Sequence, residues 1–543
     1  MSAQPRPKPA EFHVFDTTLR DGSQQEGLNL SVADKLAIAG LLDELGVGFI
    51  EGGWPGANPT DTAFFAAMAD GALTLRNAQL VSFGFTRRVG LKAADDPLTA
   101  ALRDARAPVA CIVAKSHDRH VEQALHTTLS ENLAMISDTV RHLRSEGQRV
   151  FVDCEHFFDG YRENPAYTLE VVHTAAEAGA EVVVLCDTNG GMLPPWISEI
   201  VTVTSELGVP LGIHTHNDTG CAVANTLAAV DAGVMHVQGT VNGYGERTGN
   251  AELLSIVANL ELKYGWPLLP AGSLREATRL AHEIAEVTNV PPSARQPYVG
   301  LSSFAHKAGL HASAIKVDPN LYQHIDPAIV GNDMRMLVSD MAGRANIQIK
   351  GEELGFDLSD RELAARITDR VKDAEAAGYT YEAADASFAL LLRRELGQLP
   401  EYFTVHSWRV FTQSTHGQET DTECTVRLTA KGQTQRVVGE GNGPINALDQ
   451  ALRNALLPAY LAVEKFELID YKVRILEQGH GTDATVRVLI ETTDGLSAWT
   501  TVGVGQNIIE ASWEALCEAY VYGLIHAEDE VGVNVGVMSL GRG

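Results

Sequence analysis

Short apolar or β-branched runs alternate with longer stretches of helical period through the first part of the chain. The runs are FHVFD (12–16), VGFIEGG (47–53), QLVSFGF (79–85), VACIVAK (109–115), RVFVDCE (149–155), EVVVLCD (181–187), PLGIHTHN (210–217) and MHVQGTV (235–241). Each predicts a strand. Between the first two lies SVADKLAIAGLLDELG, where Ser31 stands three residues before Asp34 and Gly46 closes the pattern. Those are the start and stop signals of a capped helix. Comparable helical patterns, such as TLSENLAMISDTVRHLRSEG and GCAVANTLAAVDAG, follow most of the other runs. Eight strand-then-helix units in about 230 residues predict an α/β fold of the (β/α)8 TIM-barrel type. A doubly wound open sheet would need no eighth unit.

In such a barrel the chemistry gathers at the C-terminal ends of the strands. Polar residues stand at nearly every one: Arg20 and Asp21, Glu51, Lys115 and His117, Glu155, Asp187 to Asn189, His214, His216 and Asn217, and Asn242 ahead of GYGERTGN. HTHND (214–218) is the sharpest metal signal, because the strand period of two puts His214 and His216 on one face. An HxH alone is more often structural. With Asp21 across the mouth, two histidines and a carboxylate make a divalent site with open positions, for which Mg2+, Mn2+ and Zn2+ all qualify. Arg20 is either a solvated partner of Asp21 or a cation placed for an oxyanion or a carboxylate. Glu155 is either a strand-end charge or an acid–base carboxylate facing the metal. Thr188 either caps a helix or binds a substrate carboxylate. GYGERTGN lacks the strand–GxGxxG–helix spacing of a dinucleotide loop.

Composition narrows the class. A chain of 543 residues exceeds one core, so several domains are expected. The net charge of −28, without any basic run, argues against nucleic acid as a partner. No apolar stretch is long enough to span a membrane. The six scattered cysteines form no CxxC pair, and the opening MSAQPRPKPAE has no apolar signal core. A cytoplasmic location is expected.

Past the barrel, HKAGLHASAIKVDPNLYQHIDP carries His306, His311, Tyr322 and His324 in a loop-rich stretch, the pattern of a lid or an intersubunit arm. Helical patterns dominate 276–400. Beyond them, TVRL and GEGNGPINALDQALRNAL are echoed by TVRV and GVGQNIIEASWEALCEAY, each copy ending in a Gly-x-Gly turn and an amphipathic helix. The repeat predicts a C-terminal α+β module of two βββα units for dimerisation or regulation. The expected boundaries are 1–275 for the barrel, 276–400 for a helical linker with the arm, and 401–543 for the module.

The sequences DTTLRDGSQQEG, HTHND and GYGERTGNAEL, with the paired C-terminal units, resemble the DRE-type TIM-barrel acyl-CoA condensing family of 2-isopropylmalate, homocitrate and citramalate synthases. EGGWPGANPTDTAFF, DTNGGMLP and the 306–327 stretch look most like the long-form citramalate synthases. The resemblance implies a metal on Asp21, His214 and His216 with Asn250 close by, and Thr188 holding the carboxylate of a 2-oxo acid. It implies that Arg20 stabilises enolate and alkoxide oxygens. Glu155, with His311 and Tyr322 from a partner subunit, would match the acid–base group that deprotonates acetyl-CoA. Where the family usually has Gln-Asp after the mobile histidine, this chain has Ala312–Ser313. The expected substrates are acetyl-CoA and pyruvate, in a homodimer inhibited by isoleucine. The alternatives are a 2-isopropylmalate synthase using 2-oxoisovalerate, a lyase on the same barrel, and a non-catalytic amino-acid sensor.

Overall fold

A computed structural model describes residues 7–339, 341, 343–414, 420–476 and 484–539. The first six residues of the polar leader, and the breaks within the predicted 276–400 and 401–543 segments, lie outside the described residues. Among the described residues no helix is long and apolar enough to cross a membrane. The chain divides into two compact units, Met1–Phe304 with Ile325–Asp333, and Ala305–His324 with Met334–Gly543.

The first unit is a closed parallel barrel of eight strands in sequence order: β1 (His13–Asp16), β2 (Phe49–Glu51), β3 (Gln79–Phe85), β4 (Val109–Lys115), β5 (Arg149–Glu155), β6 (Val182–Asp187), β7 (Leu211–Thr215) and β8 (His236–Gly239). Pairing of β8 with β1, from His13↔His236 to Asp16↔Gly239, completes the ring. The first helix, Val32–Leu45, starts at a capping box between Ser31 and Asp34 and stops at Gly46 in the left-handed conformation. β2 is shorter than its apolar run because Gly53, at φ +134°, turns the chain over Asp61, where a Cβ would lie 2.4 Å from the carboxyl carbon.

Period-two alternation sorts each strand between two environments. On β5, Val150, Val152 and Cys154 pack under the helices, whereas Phe151 joins Phe15, Phe49, Val81, Val109, Val182 and Val184 in an apolar plug inside the barrel. The inward series therefore runs from apolar at the bottom to polar at the top: Phe151, Asp153, Glu155 on β5 and Phe49, Glu51 on β2. The plug is the floor on which the site stands.

The second unit contains β9 (Ala305–His306) paired parallel with β10 (Arg335–Met336), and helices at Gly309–Ile315, Arg344–Glu353, Arg361–Ala376 and Asp385–Glu395. Two antiparallel sheets follow, β11 (Phe403–Gln413), β12 (Asp421–Ala430) and β13 (Gln433–Gly441), then β14 (Glu467–Ile475), β15 (Val486–Thr493) and β16 (Ala498–Gly505). Helices Pro444–Leu456 and Ile508–Ser539 succeed them, so the repeat is βββα twice. Contrary to expectation, the Gly-x-Gly pairs are not turns but the last residues of β13 and β16. Their role is close approach: a Cβ on Gly439 would lie 2.3 Å from the amide nitrogen of Ala451, and one on Gly503 2.0 Å from the carbonyl oxygen of Ala511. Any side chain there would push the helix off its sheet.

Candidate active site

Arg20 and Asp21 follow β1 in a tight turn at the barrel's upper rim. Arg20 Nε donates to Glu51 Oε2 at 2.6 Å, and Nη1 lies 3.1 Å from Asp21 Oδ1. The guanidinium stacks 3.9 Å over the Phe83 ring. Thr17 adds a hydroxyl donor to the same Glu51 oxygen at 2.6 Å. Glu51 thus clamps the arginine from a fully buried position, and the guanidinium has almost no rotational freedom.

Asp21, His214 and His216 bring one ligand atom each within 4.8 Å of one another. Asp21 Oδ2 lies 3.2 Å from His214 Nε2 and 3.5 Å from His216 Nε2, and the two Nε2 atoms are 3.2 Å apart. Burial would raise the Asp21 carboxyl, but Arg20 and His214 outweigh it and hold the group well below the usual range. Burial lowers His214, and Asp21 more than reverses that. His216, buried and beside His214, is pushed down to about 4 and so is kept neutral. Asn250 pairs its backbone with His216 across a β-bridge, and its side-chain Nδ2 donates to the Tyr244 carbonyl at 3.0 Å. Asn250 Oδ1 and His216 Nδ1 are buried without a hydrogen-bond partner among the described residues. Two facing imidazole nitrogens, a carboxylate and an unpartnered amide oxygen form a donor set that fits a divalent cation.

Glu155 and Thr188 line the same cavity, of about 380 Å3, with Trp54, Phe83, Phe85 and Val113 as its apolar wall. Glu155 Oε2 pairs with Lys115 of the neighbouring strand. Thr188 Oγ1 accepts the His156 N–H at 2.8 Å, leaving its own hydrogen free to donate. The remaining two predicted residues, His311 and Tyr322, belong to the second unit, where their rings stack at 4.1 Å. Leu310, Val317 and Leu321 beside them are exposed.

Some strand-end residues serve the fold instead. Asp187 accepts the Gly191 and Met192 amides, Asn217 accepts the Ala222 amide, and His117 caps the helix Asp118–Gln123. Sequence reasoning missed Asp153 and Gln238. Gln238 Oε1 lies 2.8 Å from His214 Nδ1, and Gln238 Nε2 donates to Asp153 Oδ1 at 3.0 Å. Asp153 is pushed up to about 6, by burial first and by Glu51 second. The available signal was the alternation itself, since Asp153 shares a face with Glu155 and Gln238 with His236.

An HMGL-like model matches residues 11–282, a homocitrate synthase post-HMGL domain-like model 298–378, and a LeuA allosteric (dimerisation) domain model 382–524. An (R)-citramalate synthase of Streptomyces coelicolor is 65% identical over 95% of this chain and 97% of its own length. Its namesake in Aquifex aeolicus is 48% identical over 96% and 99%. A probable 2-isopropylmalate synthase of Methanopyrus kandleri is 33% identical over 93% and 97%.

Proposed function

We propose a function from the premise that the chain belongs to the (R)-citramalate synthase family: it condenses acetyl-CoA with pyruvate and, with water, releases (R)-citramalate and CoA. The observation that carries this reading is 65% identity to a synthase of that name over nearly the whole of both chains. The apolar wall of Trp54, Phe83, Phe85 and Val113 offers a surface for the apolar side chain of a 2-oxo acid.

Asp21, His214 and His216 would hold a divalent cation, Mg2+ or Mn2+ ahead of Zn2+, with Asn250 as a further ligand. A cation there supplies Lewis-acid polarisation of the ketone and carboxylate oxygens. Thr188 donates its free hydroxyl hydrogen to the pyruvate carboxylate. Glu155 accepts a proton from the acetyl methyl group, with Lys115 holding one of its oxygens. Arg20, immobilised by Glu51 and Asp21, presents its remaining N–H groups to the enolate and then to the alkoxide oxygen. His311 and Tyr322 complete the acid–base group from the partner subunit, and the exposed apolar side chains flanking them suit a segment that covers another copy's mouth.

The barrel with its active site occupies 1–275, the helical linker 276–400 and the regulatory module 401–543. The match of a LeuA allosteric (dimerisation) domain supports a homodimer with a regulatory C-terminal module, for which the inhibitor we propose is isoleucine. The test is free-thiol release from acetyl-CoA with Mg2+ or Mn2+, comparing pyruvate, 2-oxoisovalerate and 2-oxoglutarate. Release with pyruvate alone is expected. Release mainly with 2-oxoisovalerate would replace the substrate and keep the chemistry, and no release with any would return the lyase and sensor readings.

A further inference from the structure

We infer that Gln238 is a positioning residue for His214, its amide setting the ring in the tautomer that turns a lone pair toward Asp21 and His216. The inference rests on the reading of Asp21, His214 and His216 as cation ligands, and adds what makes one of them ready to ligate.

Gln238 and His214 lie on paired neighbouring strands and Asp153 on β5, all three buried inside the barrel. The two ends of an amide have the same shape, so its orientation is decided by partners alone. Asp153 Oδ1, 3.0 Å from Gln238 Nε2, is an acceptor, so the NH2 end faces Asp153 and the carbonyl end faces His214. A carbonyl oxygen only accepts. His214 Nδ1, 2.8 Å away, must therefore carry a hydrogen. In the neutral ring that hydrogen is the only one, and Nε2 is left with its lone pair.

The arrangement matters because Asp21 pulls the other way. Its Oδ2, 3.2 Å from His214 Nε2, would by itself draw the single hydrogen onto Nε2 and occupy the ligand position. Gln238 opposes that pull in the neutral ring. His216 has no such support, since its Nδ1 is buried without a partner among the described residues. Of the two histidines, only His214 has its far ring nitrogen held by an acceptor among the described residues.

The test is Mn2+ binding by calorimetry on the full chain, without substrates. Gln238→Met keeps the length of the side chain and removes the acceptor, and an affinity about 10–100-fold weaker is expected. The exchange Gln238→Glu with Asp153→Asn rebuilds the relay with its polarity shifted by one residue. The amide introduced on β5 donates to one oxygen of the carboxylate introduced on β8, and His214 Nδ1–H donates to the other. The exchange is expected to restore most of the affinity, which a merely structural role for Gln238 would not predict. A second measurement needs no relay variant to fold: in 15N-histidine-labelled wild type loaded with Mg2+, the ring signal missing from His214→Asn should report a protonated Nδ1. Unchanged Mn2+ affinity in Gln238→Met, or His214 protonated at Nε2 in the Mg2+-loaded protein, overturns the inference and leaves the metal site standing. A wild-type chain that binds no Mn2+ overturns both.

Discussion

Two regions of this chain set partly or fully buried carboxylates beside a cavity, and they differ in how those carboxylates are satisfied. In the second unit a polar pocket of about 340 Å3 lies among the Arg361–Ala376 and Asp385–Glu395 helices, β16 and the long C-terminal helix. Glu514 there accepts the Tyr379 hydroxyl at 2.6 Å and the Val504 amide at 3.0 Å. Glu518, one turn on, accepts the Ser387 hydroxyl at 2.5 Å, and Ser387 Oγ accepts the Val502 amide at 2.9 Å. Each acceptor is matched to a donor, and the result is a joint that fastens helix to sheet. The barrel mouth instead leaves Asn250 Oδ1 and His216 Nδ1 without partners among the described residues and sets two imidazole nitrogens against each other. A carboxylate beside a cavity does not by itself mark a functional site. Polar atoms left unpaired beside a cavity do, because a fold keeps such a cost only where something else will meet it.

The comparison breaks first if the mouth is inert. His214→Ala should abolish thiol release while circular dichroism and the urea midpoint stay near wild type. Retained turnover would reduce the cluster to structure. Glu155→Gln should lower kcat by about 10²–10⁴-fold with little change in the KM for pyruvate. A KM effect alone would make Glu155 a binding residue.

Changes in the second unit should act on stability instead. Gly503→Ala forces a methyl into the β16–helix contact and should cost about 1–3 kcal/mol in urea unfolding. No loss would mean that the helix can move away cheaply. The smallest effect is the most diagnostic. Glu518 is pushed up to about 7, by burial first, with Ser387 and Arg394 working against it. An acid whose folded value exceeds its unfolded one binds more protons folded, so its contribution to stability falls from about pH 4.5 to 7 and is constant above. Glu518→Gln should therefore match wild type near pH 5 and have the higher urea midpoint at pH 8. A pH-independent difference between the two would show that Glu518 is ionised throughout.

Much of this was legible in the residues. The eight apolar runs, the Ser31 and Gly46 helix signals and the 425–520 repeat depend on local periodicity and capping, which act within a few residues. Asp21, His214 and His216 were readable because HTHND puts both imidazoles on one face and a barrel sends every strand end to one mouth. The Gly-x-Gly pairs were visible but misassigned: a glycine needed for close packing and one needed for a turn look alike until the packed helix is present.

What the chain determined by itself was the order of the barrel strands, the inward and outward faces of each, and the residue types delivered to the rim. Only the tertiary structure decided which of those residues meet. Gln238 reaches His214 and Asp153, and Ser387 reaches Glu518, across 24, 85 and 131 residues of chain. Such contacts carry no local signature, since hydrogen-bond direction is set by atoms that barrel closure or helix–sheet packing alone brings within 3 Å. Which polar residues cap local turns and helices, such as Asp187 and His117, and which line the cavity, such as Asp21 and Glu155, likewise depends on the packed barrel. Side chains of the same kinds took different roles because each found different partners in space.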